Sequence, residues 1–502
     1  MCSRTSVRSF TGRLSFAAAL GALTGCAGLS PPQPSDPAPV TPEHWQAGRM
    51  EQQASVGGGT AVETWWTSFG EAGLDEAVET ALADNLDVAA AAARVDAALE
   101  QARIAGAQLV PQVSSAFEGS RRRQNFIGLP IPSAEGQVLS NTSTTVGVSL
   151  DVSWEIDLWG RLRNTRAAGA ALAQASAADL AATRLSLAGQ VTKAWFALRE
   201  AKEQVRLAQE TLESRQKTSG QIRSRYERGL RSALDLRLAL TNEANAEAVL
   251  TRLERGLDAT RRQLQVLLSR YPAAATPAQS PPTGTVLPAP PELPPLGLPA
   301  ELVARRPDLR ATERRLKAAG LDVAAARAQL YPQLRLSASA GRLGQEIGDL
   351  ADNDFSVWSL AEGLLQPLFQ GGRLRAGVRL ADARLRETAY RYAHQTVLAW
   401  AEVEKALAAE TFLEATQEAV ARAAEQAAAA EKLAARRYLE GLNDYLTVLE
   451  TQRQATLARS QLITVSRQQL EARIDLHLAL GGGLGLESTE TSDYLTRELN
   501  QQ

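Results

Sequence analysis

Aromatic residues make up only 5% of this chain of 502 residues, which also holds just 3 histidines, 2 methionines and 2 cysteines. So few aromatics, beside abundant Ala, Leu, Gln, Glu and Arg, suit long packed helices better than a compact enzyme core. His44, His394 and His477 are scattered, no Cys/His cluster has metal-ligand spacing, and no phosphate-binding Gly loop precedes a helix. No catalytic residue, metal or cofactor is therefore expected. The formal charge of −2, from 54 basic and 56 acidic groups, carries no basic bias, which excludes nucleic acid as a partner. No apolar run of transmembrane-helix length follows the N-terminal segment. A chain that enters a membrane without one must do so as a closed barrel, because lipid offers backbone polar groups no other partner.

What is present starts at the N-terminus. Arg4, Arg8 and Arg13 precede the apolar stretch LSFAAALGAL (14–23), which ends in Leu23-Thr24-Gly25-Cys26. Residues 1–25 read as a signal peptide. Small residues followed by Cys resemble the bacterial lipobox, in which Cys26 would be acylated and become the mature N-terminus. An ordinary secretory cleavage site ahead of a Cys is the less favoured alternative. Ala27, in place of Asp, fits sorting to the outer membrane. Cys2 leaves with the signal, so no disulfide is expected in the mature chain.

The rest of the chain is written twice. AGAQLVPQV (105–113) returns as ARAQLYPQL (326–334), GRLR (160–163) as GRLR (372–375), and RYERGLRSAL (225–234) as RYLEGLNDYL (437–446). The first match has an offset of about 221 residues and the other two of about 212, which is one duplication and not a solenoid array. Each half predicts the same order. A helical stretch stops at Pro111 or Pro332, and two strand-like runs follow, 112–122 with 145–157 and 333–343 with 355–366. Polar loops join the strands, and a very long helix begins at Gly-Arg-Leu-Arg.

In the first long helix Leu187, Val191, Ala194, Leu198, Ala201, Val205, Ala208 and Leu212 keep an unbroken heptad seam. A continuous helix from Gly160 to Tyr226 would extend roughly 100 Å. Gly229 stops it and Ser232 can cap the return helix, with Leu250, Leu253, Leu257, Leu264 and Leu267 along its seam; Gly441 and Asn443 are expected to do the same in the second half. The Pro-rich stretch 271–300 links the halves as an extended connection, and the runs Gly57-Gly58-Gly59 and Gly481-Gly482-Gly483 read as hinges.

Between 146 and 163 the pattern changes period. Val146, Val148, Leu150, Val152, Trp154 and Ile156 alternate with polar residues, so one face of a strand meets lipid and the other meets water. One chain offers only four such strands. Even eight-stranded barrels are filled by their own side chains, so a wet lumen requires several chains to share one barrel.

At this point the sequence resembles the TolC-type outer-membrane efflux channels, in the lipoprotein branch that serves resistance-nodulation-division pumps. The motifs are WWTSFGEAGLDEAVETALADNLDV (65–88), the paired LVPQV and LYPQL, WEIDLWGRLR (154–163), PLFQGGRLRAGV (367–378), the two Tyr-x-x-Gly-Leu tips and LGGG (480–483). The resemblance implies an α+β membrane protein with a duplicated, TolC-like protomer. Four strands per subunit of a homotrimer would form a twelve-stranded transmembrane β-barrel, continued by a long periplasmic α-helical barrel. It implies an outer-membrane location and a passive exit duct for small molecules such as drugs or other toxic compounds. The duct would dock through a periplasmic adaptor (membrane fusion) protein onto an inner-membrane pump of that class. The segments expected are a signal peptide (1–25), an acylated arm (26–64), first-half helices (65–110), a β-hairpin (111–159) and a helical hairpin (160–270). After the linker (271–300) come second-half helices (301–331), a β-hairpin (332–371), a helical hairpin (372–481) and a tail (482–502). A periplasmic coiled-coil scaffold or adaptor lipoprotein, and a channel for type I protein secretion, are the alternatives.

Leu446, Glu450 and Arg453 share one helix face just past a tip. Their spacing alone fits a solvated face with a Glu450–Arg453 ion pair, whereas the resemblance implies a periplasmic gate of Leu and acidic rings. Gly229, Leu230, Arg231 and Ser232, with Gly441, Leu442, Asn443 and Asp444, form the tips. Hairpin chemistry explains their Gly and capping residues, and the resemblance implies adaptor contact by Gly229, Leu230, Ser232, Gly441, Leu442 and Asn443. Arg121, Arg122 and Arg123 fit either lipopolysaccharide phosphates or a solvated loop edge. Trp65 and Trp66 are expected to anchor the N-terminal arm.

Overall fold

The computed structural model describes residues 41–42, 44–47, 64–126, 138–273 and 287–482. The signal segment, Cys26 and the run Gly57-Gly58-Gly59 lie outside the described residues, as do most of the Pro-rich linker's first half and residues 483–502. The described chain forms two compact units. One comprises Glu100–Ala171 with Lys317–Glu387, and the other holds the remainder.

The first unit is built on a sheet. Strands β1 (Gln112–Phe126), β2 (Leu139–Ile156), β3 (Gln333–Gly344) and β4 (Ser356–Leu365) lie in the order β1-β2-β3-β4, each antiparallel to the next. Both hairpins occur where the alternation predicts them. The first is longer than predicted, since Arg121–Phe126 stay paired with Leu139–Thr144. That stretch was illegible because Ser140–Thr145 are all polar, and a strand wet on both faces shows no period of two. The loop after β3 is ordered by two short 3-10 turns, Ile347–Ala351 and Asn353–Phe355. In it the Asp349 carboxylate accepts from the backbone N–H of Gln345 (2.7 Å) and Glu346 (2.9 Å).

A short 3-10 helix (Trp65–Phe69) and eight α-helices complete the described chain: α1 (Ala72–Asp84), α2 (Leu86–Ala107), α3 (Arg161–Glu227), α4 (Ala233–Leu267), α5 (Pro299–Arg305), α6 (Pro307–Ala328), α7 (Arg373–Leu439) and α8 (Tyr445–Ala479). The duplication is exact in length here: α3 and α7 have 67 residues each, α4 and α8 have 35 each. The heptad seam of α3 is buried at Leu187, Val191, Ala194, Leu198, Val205 and Ala208.

The likeness of the halves extends to single hydrogen bonds in the second unit. Asn85 Nδ2 donates to the Leu267 carbonyl (2.9 Å), and Arg306 Nη1 donates to the Ala479 carbonyl (3.1 Å). Each tethers the junction between two consecutive helices, α1 and α2 or α5 and α6, to the end of its half's long hairpin. One buried apolar cluster holds Trp65, Trp66, Phe69, Trp195 and Phe196, so the tryptophan pair packs as an anchor. Farther up the chain, Trp45 joins Leu296, Leu309 and Trp400. The Glu404 carboxylate accepts from the backbone N–H groups of Gln46 and Ala47, both at 2.7 Å.

Two expectations need correcting. The N-cap of α8 is Asp444, which accepts from Thr447 N at 2.9 Å, and not Asn443. Asp444 stands 212 residues after Ser232, the cap of α4, and its extended backbone (φ −77, ψ 167) lets its side chain reach the third N–H of the helix. Gly481 and Gly482 are not a hinge. Both are buried with positive φ, and the bonds Gly481 N→Leu478 O (3.0 Å) and Gly482 N→His477 O (2.9 Å) close the end of α8.

Candidate functional site

The switch from strand to helix is held by charge. Arg161, the first residue of α3, forms a forked pair with Glu155 (2.8 Å to each oxygen), and Asp157 accepts from the backbone N–H of Arg163 (2.9 Å). An acid at the start of a helix is favoured by the exposed N–H groups there. Trp159 stacks on Tyr331 at 5.0 Å and donates to the Pro332 carbonyl at 2.7 Å. Gly160, with φ +79, makes the turn. The second half keeps the turn with Gly372 at φ +82 but has Pro367, Phe369 and Gly371 where the first has Glu155, Asp157 and Trp159.

The sheet has one apolar face. Val113 and Phe117 of β1 share it with Val146, Val148, Leu150, Val152, Trp154 and Ile156 of β2, Leu334 and Leu336 of β3, and Trp358, Leu360 and Leu364 of β4. The other face carries Ser114, Ser149, Asp151, Ser153, Ser337, Ser339 and Ser359. The pairing register keeps this division over most of the four strands, with Arg342 opposite Val148 and Glu362 opposite Leu336 as charged positions on the apolar side. Phe117, Val148, Leu150, Trp358, Leu360 and Leu364 are exposed on the single chain. Arg121 and Arg123 fall on the apolar face near the far end of β1, while Arg122 points to the polar side.

The two tips are built alike. Gly229 (φ +75) and Gly441 (φ +78) follow α3 and α7 in the left-handed region that suits Gly. The bonds Leu230 N→Arg225 O and Leu442 N→Arg437 O, both 2.9 Å, complete each end. Both Leu230 and Leu442 are left exposed. Just behind the tips, Ile222 and Ala239 of the first hairpin pack with Tyr438, Tyr445 and Val448 of the second. Arg231 bridges the hairpins, its guanidinium 4.3 Å from the Tyr438 ring centre. Burial pushes Tyr445 up to about 12. This contact was not legible, since nothing local distinguishes Arg231 from a solvated tip residue.

Leu446, Glu450 and Arg453 do share an exposed face at the start of α8, with Leu446 at 58% exposure. Arg453 pairs with Glu450 through both oxygens (2.7 and 3.0 Å), and Gln454 adds a third bond at 2.9 Å. Hydrogen bonds from Arg453 and Gln454 hold the Glu450 carboxyl at about 2, so it is charged at any physiological pH. The counterparts in the first half are Leu234, also exposed, and the uncharged Leu238 and Thr241. The apolar position is duplicated and the ion pair is not.

The comparisons decide what this architecture is. The model of the family described as outer membrane efflux protein matches residues 77–270 and 298–482. The chain belongs to that family. It is similar to the pyoverdine export outer membrane protein OpmQ of Pseudomonas putida, 34% identical over 91% of this chain and 95% of that one. Outer membrane protein OprJ of Pseudomonas aeruginosa is 33% identical over 93% and 95%. Among solved structures, the outer-membrane channel OprN superposes with a TM-score of 0.80 at 28% identity, covering 89% of this chain and 99% of that one. This efflux protein is thus an outer-membrane transport channel of the kind that serves tripartite efflux pumps, with the two-repeat, TolC-like fold. The family is one of transport channels and not of enzymes.

Proposed function

We propose that three copies of this chain close one twelve-stranded barrel and form a passive exit duct. The observation that carries this is the sheet: four strands, two open edges and one mainly apolar face, too few to enclose a wet lumen alone. Val146, Val148, Leu150, Val152, Trp154 and Ile156 face lipid, and the serine-rich side faces the lumen. The tips Gly229, Leu230, Ser232, Gly441, Leu442 and Asn443 meet a periplasmic adaptor, which couples the duct to an inner-membrane pump of the resistance-nodulation-division class. Cys26 carries the acyl anchor. Relatives are named for the export of pyoverdine, toluene and antibiotics, which supports small organic compounds as the cargo.

Leu446, Glu450 and Arg453 form the periplasmic constriction. Three copies of Leu446 favour closure by apolar contact, while three Glu450 carboxylates repel one another unless each is neutralised by its own Arg453. In planar bilayers Arg453→Ala and Leu446→Ala should each conduct more than the parent channel, and Glu450→Gln should lower cation preference. Unchanged conductance and selectivity in all three, with trimers intact, would remove the gate from this face.

A further inference from the structure

The two edges of the sheet are unlike solvated edges. Every residue of β4 is exposed, and just beyond it Leu368 and Phe369 are 93% and 90% exposed. On β1, Val113 and Phe117 are exposed on the same face. Charges interrupt that face at Glu362 of β4 and at Arg121 and Arg123 of β1. Such edges are templates for another strand. That strand belongs to a second copy of this chain, an inference that rests on the homotrimeric reading above.

The duplication supplies the register. β1 maps onto β3 with Pro111 on Pro332, and β2 onto β4 with Gly160 on Gly372. The hairpin pair Gln112–Ser153 then falls on Gln333–Leu365, which is itself a pair. The join between hairpins inside one chain, β2 to β3, is therefore the template for the join between chains, β4 to β1. Ile156–Leu334 becomes Leu368–Val113, Val152–Ala338 becomes Leu364–Phe117, and Val146–Gly344 becomes Trp358–Arg123.

We propose that β4 of one copy pairs antiparallel with β1 of the next in this register, placing Arg123 against Trp358 and Arg121 diagonally beside Glu362. Three features of the side chains agree. The apolar positions of both strands stay on one face, whereas a slip of one residue would turn Leu360 and Leu364 to the wet side. Glu362 lies opposite Gly119, which leaves space for its carboxylate to reach Arg121, two residues along. A slip of two would set Glu362 against Phe117 or take Trp358 off Arg123. Arginine over an indole is a favourable cross-strand pair, and Leu368, uncovered in its own chain, meets Val113.

Full-length protein carrying both Leu364→Cys and Phe117→Cys, oxidised in the membrane, should convert the monomer band to crosslinked dimer and trimer on denaturing gels. Single-cysteine controls account for Cys2 and Cys26. The pairs Leu364→Cys with Val113→Cys and Leu364→Cys with Arg121→Cys should crosslink far less. Stronger crosslinking in either shifted pair, or none in any pair with trimers intact by light scattering, overturns the register alone. Monomers by light scattering overturn the trimeric reading. Independently, Glu362→Arg should lower the temperature at which trimers dissociate in detergent, and adding Arg121→Glu should restore it. Failure of that rescue overturns the Arg121–Glu362 contact.

Discussion

His477 shows how one buried side chain sets an acid limit on the fold. It stacks on Trp65 at 5.2 Å, and its Nε2 has no hydrogen-bond partner. Burial, aided by the positive charge of Arg473, pushes it down to about 4 from an ordinary 6.5. Lowered in the fold, it binds its proton more weakly there than in the unfolded chain. Its contribution is therefore complete above pH 6.5 and lost as pH falls toward 4, on the order of 3 kcal/mol at one decade per 1.36 kcal/mol. His477→Phe should flatten the dependence of melting temperature on pH in that window, and an unchanged slope would show another group is responsible. Ser269 is a second test. It holds φ +53 at the end of α4, where the second half has Gly481, and its Oγ accepts from Leu86 N at 3.2 Å. Ser269→Ala keeps the strained backbone and loses the bond, so it should cost about 1–2 kcal/mol in thermal melts. Ser269→Gly should be closer to neutral.

At the scale of the element, alternation in β2 was legible because its apolar residues keep to one face of the sheet and its polar residues to the other. The test is a matched pair of substitutions on neighbouring residues. Leu150→Arg should impair membrane assembly far more than Ser149→Arg, since a charge at mid-depth on a lipid face costs roughly 2–4 kcal/mol. Equal yields of folded protein from both would remove the assignment of faces. Helix ends were legible in part. Gly229 and Gly441 lie where a Gly should follow a last turn, but the cap of α8 was misplaced by one residue. Asn443 and Asp444 are both good capping residues, and only backbone geometry selects between them. Asp444→Ala should cost about 1 kcal/mol locally, seen as faster amide exchange at Thr447, while Asn443→Ala leaves that exchange unchanged.

For the whole molecule, the barrel should supply enough apolar surface to hold the protein in the membrane without its lipid. Each buried methylene contributes roughly 0.8 kcal/mol, so acyl chains on the proposed lipidation site Cys26 would add anchoring without making the pore. Cys26→Ala behind a cleavable signal should still yield membrane-inserted trimers. Recovery of that variant as soluble monomer would show that the sheet's apolar face does not meet lipid.

The sequence by itself determined the duplication, the four strands and their faces, the long helices and the tips. These follow from periodicity and turn chemistry, which act between residues a few positions apart. Only the tertiary structure decided that Asn85 and Arg306 tether opposite ends of their halves, that Glu404 clamps the arm at Gln46 and Ala47, and that Arg231 lies over Tyr438. Partners separated by as many as 358 residues leave no local pattern. A hydrogen bond or ring contact across that distance exists only once packing has brought the two surfaces together.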